Sequence, residues 1–221
     1  MKTMRKNTHI LSRTIQRFIV SVLLIFIFLS CSSDDSGTEI MVLNSEGSLE
    51  EVKAFYNDGF VDAMLSLGFK VNLGNTPPNL SGTYSISPFV LSASNIAGDA
   101  DNIGEGTGEY KPTFSNQNNN ALTIDFSGGS GSGAQTDVGS GSFITGSNDS
   151  FTVYAKTVTQ IGSVPATTAV VITGTITPNG IEDVQFFGAM LDDNGDPQET
   201  YIPNNSGRLF IDGDGLASRQ N

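Results

Sequence analysis

The segment TTAVVITGTITPNGIEDVQFFGAML, Thr167–Leu191, carries the strongest fold signal in the chain. In both halves, apolar β-branched and aromatic residues alternate with polar ones, which is typical of half-buried strands. Pro178-Asn179-Gly180 separates the halves and supplies turn residues. The segment therefore predicts an antiparallel hairpin of Thr167–Thr177 and Ile181–Leu191.

The same alternation recurs on both sides of this hairpin. Further strands are predicted at Gly82–Leu91, Glu109–Ser115, Ala121–Ser127, Ser140–Thr145, Phe151–Thr157 and Gly207–Asp212. About eight short strands without a second helical block predict a mainly β fold, a single antiparallel β-barrel or sandwich, over residues 81–221. The glycine-rich segment Ser127–Gly141 is expected to be a mobile loop or a glycine-weakened edge.

A barrel would require the strand that begins at Gly82 to pair with the one that begins at Gly207, because closure alone removes both sheet edges. Tyr84 and Arg208 would then lie at the seam, where a cation–π contact could join them. The interior is expected to be filled by side chains such as Phe126, Phe151 and Phe186, rather than hollow.

One short helix is expected before the strands. Ser48 and Glu51 have the spacing of a capping box, and apolar residues follow at intervals of three and four up to Leu67. Gly68 suits the helix end, and a break near Gly59 is an alternative to one continuous helix. Residues 48–80 are therefore interpreted as a helix and a lead-in that ends at Pro77-Pro78.

The first 30 residues have the pattern of a signal peptide. Five basic residues and no acids accompany the apolar run Phe18–Leu29, whose twelve residues are too few to span a bilayer of about 30 Å. An uncleaved N-terminal anchor is the alternative. Cys31 is the only cysteine and follows this run at once, so an internal disulfide is excluded.

Phe28-Leu29-Ser30-Cys31 resembles a bacterial lipobox. The resemblance implies that Cys31 becomes the acylated first residue of the mature protein, with residues 31–47 as a lipidated N-terminus and tether. Ser32, Asp34 and Asp35 resemble the acidic export signal of Bacteroidota-type surface lipoproteins, which implies an outer-membrane location facing the cell exterior. A solvated Ser/Asp tether without signal function is the alternative.

The start of the β domain carries two further resemblances. Pro77-Pro-Asn-Leu-Ser-Gly-Thr-Tyr84 is similar to a segment of uncharacterised Bacteroidota lipoproteins, in which a short helix and a Pro-Pro turn precede a β domain. Asp212–Leu216 resembles their closing stretch. Leu80–Tyr84 faintly resembles the first lipocalin strand, with Tyr84 where Trp is usual, although lipocalins place their helix after the barrel.

The composition of the predicted mature chain, residues 31–221, excludes several classes of function. This chain would carry 6 basic and 23 acidic residues, a net charge of 6 − 23 = −17, which disfavours nucleic acid as a partner. The only histidine, His9, lies in the predicted signal peptide. Ser-His-Asp and Cys-His catalysis and zinc sites built on His or Cys are thereby excluded.

Two acidic segments raise the question of calcium. Asp192, Asp193 and Asp196 form one, and Asp212 and Asp214 the other. Neither follows the EF-hand pattern, and Asp, Asn and Gly are also ordinary turn residues. Turns are the preferred interpretation, and we expect no metal and no cofactor besides the lipid on Cys31.

These observations predict an acidic lipoprotein that reaches the membrane through its lipid anchor. The leading hypothesis is a non-enzymatic binding or accessory module that acts on a surface polymer or a partner protein. The alternative is a calycin-like barrel that carries a small apolar ligand. An acid-pair hydrolase is the third hypothesis.

Overall fold

The computed structural model describes residues 46–196 and 198–220, in which two helices precede ten antiparallel strands of one sheet. The helices are α1 (Leu49–Phe55) and α2 (Asp58–Ser66). The strands are β1 (Gly82–Ser85), β2 (Phe89–Ser94), β3 (Thr113–Asn118), β4 (Thr123–Gly129), β5 (Gln135–Ser147), β6 (Ser150–Ile161), β7 (Val164–Thr177), β8 (Gly180–Asp192), β9 (Gly207–Asp212) and β10 (Leu216–Gln220). The predicted signal peptide (residues 1–30), Cys31, Ser32, Asp34 and Asp35 lie outside the described residues.

Eight of the strands close into a ring. The order is β1-β3-β4-β5-β6-β7-β8-β10 and back to β1, while β9 and β2 continue the sheet beside β8. Across the seam Tyr84 pairs with Arg219 and Phe89 pairs with Asp212, so the first and last strands of the domain are joined. The barrel prediction is therefore confirmed and the sandwich alternative is wrong. The predicted strand Gly82–Leu91 is divided into two, however: the strand that begins at Gly82 pairs with β10, and β2 pairs with the strand that begins at Gly207.

β1 and β2 follow one another in a single extended segment along the seam. Gly82 pairs with Phe114, Ile86 with Tyr110 and Val90 with Gly106, and all three pairs keep the same register. β9 and β10 form the matching path on the other side, and β8 pairs with both of them. The barrel is thus an up-and-down meander from β3 to β8, closed by the pairing of the first two strands with the last two.

Alternate residues of these strands fill the barrel interior, as period-two patterning requires. The predicted interior positions Phe126, Phe151 and Phe186 are among them and are at most 5 % exposed. The buried interior is formed by Leu80, Tyr84, Ile86, Phe89, Tyr110, Phe114, Ile124, Phe126, Ile144, Phe151, Val153, Ala155, Val170, Ile172, Ile181, Val184, Phe186 and Ala217.

The lead-in closes one end of the barrel. Leu80 is fully buried within the interior cluster. Gln117, at the end of β3, accepts from the Leu80 amide at 2.9 Å and donates to the Pro78 carbonyl at 2.7 Å. The side-chain amide of Asn119 donates to the Pro77 carbonyl at 2.9 Å. The Pro-Pro turn is therefore held by the β3–β4 connection across what we call the closed end.

Both helices cover the outside of the barrel. The capping box of Ser48 and Glu51 is present, and Gly68 has the positive φ expected at the helix end. The single predicted helix is broken at Asn57, whose side chain caps α2 by accepting from the Phe60 amide at 2.8 Å. A second cluster of Val52, Val61, Met64, Phe69, Phe143, Tyr154, Val171, Phe187, Ala189 and Leu209 joins the helices to the outward faces of β5–β9.

The glycine-rich segment Ser127–Gly141 is neither a loop throughout nor an edge. Its last part belongs to β5, which pairs along its length with β6 and over part of it with β4. Ladder pairing on both sides therefore overrides the low strand propensity of Gly139 and Gly141. None of the helices in residues 46–196 and 198–220 has the length and apolar character needed to cross a bilayer.

Candidate functional site

A cavity of about 180 Å³ lies within the barrel at the end opposite to Leu80. We call this end the mouth. It is formed where β5 begins at Gln135, β6 ends at Ile161 and β9 begins at Gly207. The cavity is smaller than the roughly 300–1,000 Å³ of typical ligand pockets, but larger than a cavity of about 150 Å³ that holds benzene. The barrel is thus filled in its closed half and hollow near the mouth.

Four aromatic rings form one wall of the cavity. Phe89 stacks on Phe210 with ring centroids 4.2 Å apart, and Tyr110 meets Phe186 at 4.6 Å. Phe89 also contacts Phe186 edge-on at 5.2 Å, so the rings form one continuous cluster. We call Phe89, Tyr110, Phe186 and Phe210 the aromatic wall. Its rings come from β2, β8, β9 and the segment before β3, which meet only because the barrel closes.

A buried carboxylate stands beside the aromatic wall. Asp137, on β5, is 1 % exposed and lines the cavity. The Tyr110 hydroxyl donates to its Oδ2 at 2.7 Å, and the Thr159 hydroxyl donates to its Oδ1 at 2.6 Å. The Gln135 amide donates to both oxygens, at 3.0 and 3.2 Å. Four contacts therefore fix the carboxylate in one orientation.

Tyr110 remains a hydrogen-bond donor to this carboxylate. Burial, and then the negative charge of Asp137, hold the pKa of Tyr110 well above its ordinary value. The phenol therefore keeps its proton throughout the physiological pH range.

Three threonine hydroxyls extend the polar wall from Asp137. The Thr168 hydroxyl lies 2.6 Å from both the Thr157 and the Thr159 hydroxyls. Because Thr159 gives its proton to Asp137, Thr168 donates to Thr159 and Thr157 donates to Thr168. All three protons thus point along the chain of hydroxyls toward the carboxylate, and none of them is free to bond to a ligand.

Arg208 lies at the rim of the mouth and is held by Asp99. Its Nε and Nη2 donate to the two Asp99 oxygens at 2.7 and 2.9 Å, and the Ser94 hydroxyl donates to Asp99 at 2.6 Å. The Arg208 guanidinium is the main reason that the pKa of Asp99 lies below its ordinary value. The predicted contact of Arg208 with Tyr84 is wrong, because the two residues occupy opposite ends of the seam.

Tyr84 has a different cation as its neighbour. The Arg219 guanidinium lies 5.7 Å from the centre of the Tyr84 ring, on the strand directly across the seam. The Tyr84 hydroxyl donates to the Leu80 carbonyl at 3.0 Å, which ties the seam to the closed end. A cation–π contact with Tyr84 is therefore present at the seam, but its cation is Arg219 and not the predicted Arg208.

Residues 193–196 and 198–206 connect β8 to β9 and fold across the mouth, and we call them the cap. Thr200, Tyr201 and Ile202 of the cap line the cavity. The Tyr201 hydroxyl accepts from the Ile161 amide at 3.0 Å, and donates to the carbonyls of Thr159, at 3.2 Å, and Val164. One side chain therefore fastens the cap to the β6–β7 hairpin.

The aspartates considered for calcium hold turns in the described chain. Asp192 and Asp193 accept from backbone amides two residues ahead, each at 2.9 Å, and Asp214 accepts from the Leu216 amide at 3.0 Å. Asp196 accepts from the Tyr201 amide at 2.6 Å within the cap. The described residues contain no group of three or more His, Cys, Asp or Glu side chains placed to hold a metal ion.

Asp212 belongs to the seam as well as to a turn. Its oxygens accept from the Asp214 amide at 3.1 Å and the Ser87 amide at 3.3 Å, and it is 7 % exposed. Burial, and then the neighbouring Asp214, raise the pKa of Asp212 to about 6. This carboxyl therefore titrates near neutral pH.

The sequence analysis missed Asp137 and the cap. Asp137 lies in the glycine-rich segment that was interpreted as a loop or an edge, and only the pairing of β5 with β6 places it opposite Thr159. Comparison with protein-family models, with curated proteins and with solved structures found no match to this chain.

Proposed function

We propose that this protein is a lipid-anchored binding protein of the outer membrane, facing the cell exterior, and that its barrel holds a small ligand at the mouth. Cys31 carries the lipid, and Ser32, Asp34 and Asp35 direct export. The protein is not an enzyme in this proposal. The observation that supports ligand binding is the cavity of about 180 Å³ between the aromatic wall and Asp137.

The anchor part of the proposal rests on the sequence. The apolar run Phe18–Leu29 and the lone Cys31 supply the pattern that acylation requires. The acidic balance of the chain from Cys31 onward disfavours nucleic acid and anionic lipid surfaces as partners. A covalent lipid supplies the membrane attachment that such a charge would otherwise oppose.

The cavity favours a ligand carrier over a module that only presents its outer surface to a polymer or a partner protein. A purely structural barrel fills its interior, as this one does around Phe126 and Phe151. Toward the mouth the interior holds space instead, lined by apolar groups and by a few polar ones, which is the usual composition of a small-molecule site.

The cavity also favours binding over acid-pair hydrolysis. Hydrolysis of a glycosidic bond by this route uses two carboxyl groups that flank the bond. Among the described residues that line the cavity, Asp137 is the only carboxylate. The wall can therefore orient a ligand but offers one acid where that chemistry needs two.

The first described residues of the chain lie at the closed end of the barrel. The Gly74 amide donates to the Gly47 carbonyl at 3.0 Å, and the Gly146 amide donates to the Gly74 carbonyl at 2.9 Å. Gly146 lies where β5 approaches its turn to β6, at the closed end. The described part of the chain thus enters the barrel at the end away from the mouth.

A cavity-filling variant tests the proposal. Gly188 faces the cavity from β8, and a Cβ there would lie 3.1 Å from the Phe186 ring, so Gly188→Leu should occupy the space. The control is Val158→Leu, on the exposed face of β6. The full-length chain in detergent is screened by thermal shift with phenol, benzyl alcohol, benzylamine and benzoate.

At least one of these probes should raise the melting temperature of the unaltered chain and of Val158→Leu, but not that of Gly188→Leu. A probe at 100 times its Kd adds about 2.7 kcal/mol of stability. Equal shifts in both variants would place binding outside the cavity and contradict the proposal, as would the absence of any shift.

A further inference from the structure

We infer that the cavity selects a small organic ammonium ion, a protonated amine on a body of about one ring. This inference rests on the proposed function and specifies its ligand. It follows from the buried Asp137 carboxylate, the direction of the threonine protons and the aromatic wall.

The first argument is the charge of Asp137. Its four contacts come from the neutral side chains of Tyr110, Thr159 and Gln135, which orient the carboxylate without neutralising it. Among the described residues, the ion pairs of lysine and arginine involve other acids, and none involves Asp137. A buried carboxylate without a cationic partner is costly, and a cationic ligand would relieve that cost.

The second argument is that the threonine hydroxyls beside Asp137 have no free proton. Thr159 donates to Asp137 and Thr168 donates to Thr159, so each hydroxyl keeps only its capacity to accept. Arg208, at the rim of the cavity, is paired with the Asp99 carboxylate, which offsets its positive charge. An ammonium group brings donors and no acceptor, and this wall supplies the complementary acceptors.

The third argument is the aromatic wall. A cation near the face of an aromatic ring is attracted by the ring quadrupole. The cavity that Asp137 lines is also lined by Phe89, Phe186 and Phe210. A ligand whose charged group meets Asp137 and whose body meets these rings would satisfy both halves of the site.

The size of the cavity limits the ligand. The cavity volume of about 180 Å³ exceeds the roughly 150 Å³ that holds benzene by about 30 Å³, the share of one water molecule in the liquid. One ring with a one- or two-atom substituent therefore fits while the cap stays in place.

Three ligands of nearly equal shape and different charge form the test: benzylamine, which is cationic at pH 7, neutral benzyl alcohol, and anionic benzoate. Titration calorimetry on the full-length chain in nonionic detergent should give benzylamine an affinity about 10–100-fold above that of benzyl alcohol, because a hydrogen bond to a charged group contributes about 1.5–3 kcal/mol. Benzoate should bind most weakly.

Asp137→Asn should reduce the preference for benzylamine at least about tenfold and leave benzyl alcohol nearly unchanged. The amide keeps one acceptor for Tyr110, and Thr159 can rotate its hydroxyl to accept from the new N–H. Asp125→Asn is the matched control, because Asp125 is exposed on β4 and its loss changes net charge equally. Phe210→Leu should reduce the preference about 2–5-fold through the lost ring face.

Equal binding of benzylamine and benzyl alcohol, or tightest binding of benzoate, would overturn the ammonium inference and leave the proposed ligand cavity standing. Binding of none of the three would overturn the inference together with the proposed function. The three-ligand series on the unaltered chain decides the sign of the preference even if Asp137→Asn does not fold.

Discussion

Tyr201→Phe should loosen the cap without unfolding the barrel. The hydroxyl accepts one hydrogen bond, from the Ile161 amide at 3.0 Å, and donates one proton shared between the carbonyls of Thr159 and Val164. Two net hydrogen bonds at about 1 kcal/mol each limit the loss of free energy that holds the cap closed to about 2 kcal/mol. Because Tyr201 is half-buried, water can replace part of this hydrogen bonding, and we expect the free energy of cap opening to fall by about 1–2 kcal/mol.

The expected loss is local, because the cap is joined to the barrel at both ends by β8 and β9. Amide hydrogen exchange at Ile161 should accelerate about 5–30-fold, the factor that corresponds to 1–2 kcal/mol in an opening equilibrium. The midpoint of urea unfolding should change less than this local opening. Exchange resolved at Ile161 by NMR, with urea unfolding followed by circular dichroism, measures both.

Tyr56→Phe is the matched control. It also removes one hydroxyl, which donates to the Ala155 carbonyl at 3.0 Å, but it lies on the helical side of the barrel away from the mouth. It should lower global stability by a comparable amount and leave Ile161 exchange unchanged. Unaltered Ile161 exchange in Tyr201→Phe would refute the assignment of this hydroxyl as the fastener of the cap.

Three further results are expected. Cys31→Ser should abolish labelling by a fatty-acid analogue and leave unprocessed precursor; a mature, unlipidated protein that starts elsewhere would exclude acylation. Asp34→Ala with Asp35→Ala should protect the domain from protease added to intact cells, whereas equal digestion of both forms would leave these acids as tether residues. Because the folded pKa of Asp212 is raised to about 6 from 3.8, its contribution to stability is complete below about pH 4 and is lost as the pH rises through 6. Asp212→Asn should therefore raise the free energy of unfolding at pH 7.5 by about 1–3 kcal/mol and flatten its pH dependence in urea titrations; an unchanged slope between pH 4 and 7 would contradict the raised pKa.

Local signals predicted the helices and the central hairpin well. The capping box at Ser48 begins α1, and the suspected break near Gly59 separates α1 from α2. Pro178-Asn179 is the two-residue turn between β7 and β8, and β9 spans the predicted Gly207–Asp212. These features depend on residues within a few positions of one another, which is the information that a single sequence carries most directly.

The candidate site depends on partners that local patterns cannot supply. Asp137 lies two positions before Gly139 in a segment of low strand propensity, and it becomes buried because it pairs with Thr159 when β5 and β6 come together. Arg208 finds Asp99, which lies 208 − 99 = 109 positions earlier in the sequence. Alternation predicts which face a residue occupies, but not which distant loop will lie over that face.

The seam has a consequence for the order in which the barrel folds. β5, β6, β7 and β8 are joined by three turns of two residues each, so their pairing is local. Tyr84 and Arg219, which pair across the seam, are separated by 219 − 84 = 135 positions. Loop-closure entropy must be overcome before such a contact stabilises the chain, so the four-strand meander should form early and the seam last. Until then β1 and β10 expose unpaired backbone, and the slowest step of folding is also the one during which the chain is most exposed to aggregation.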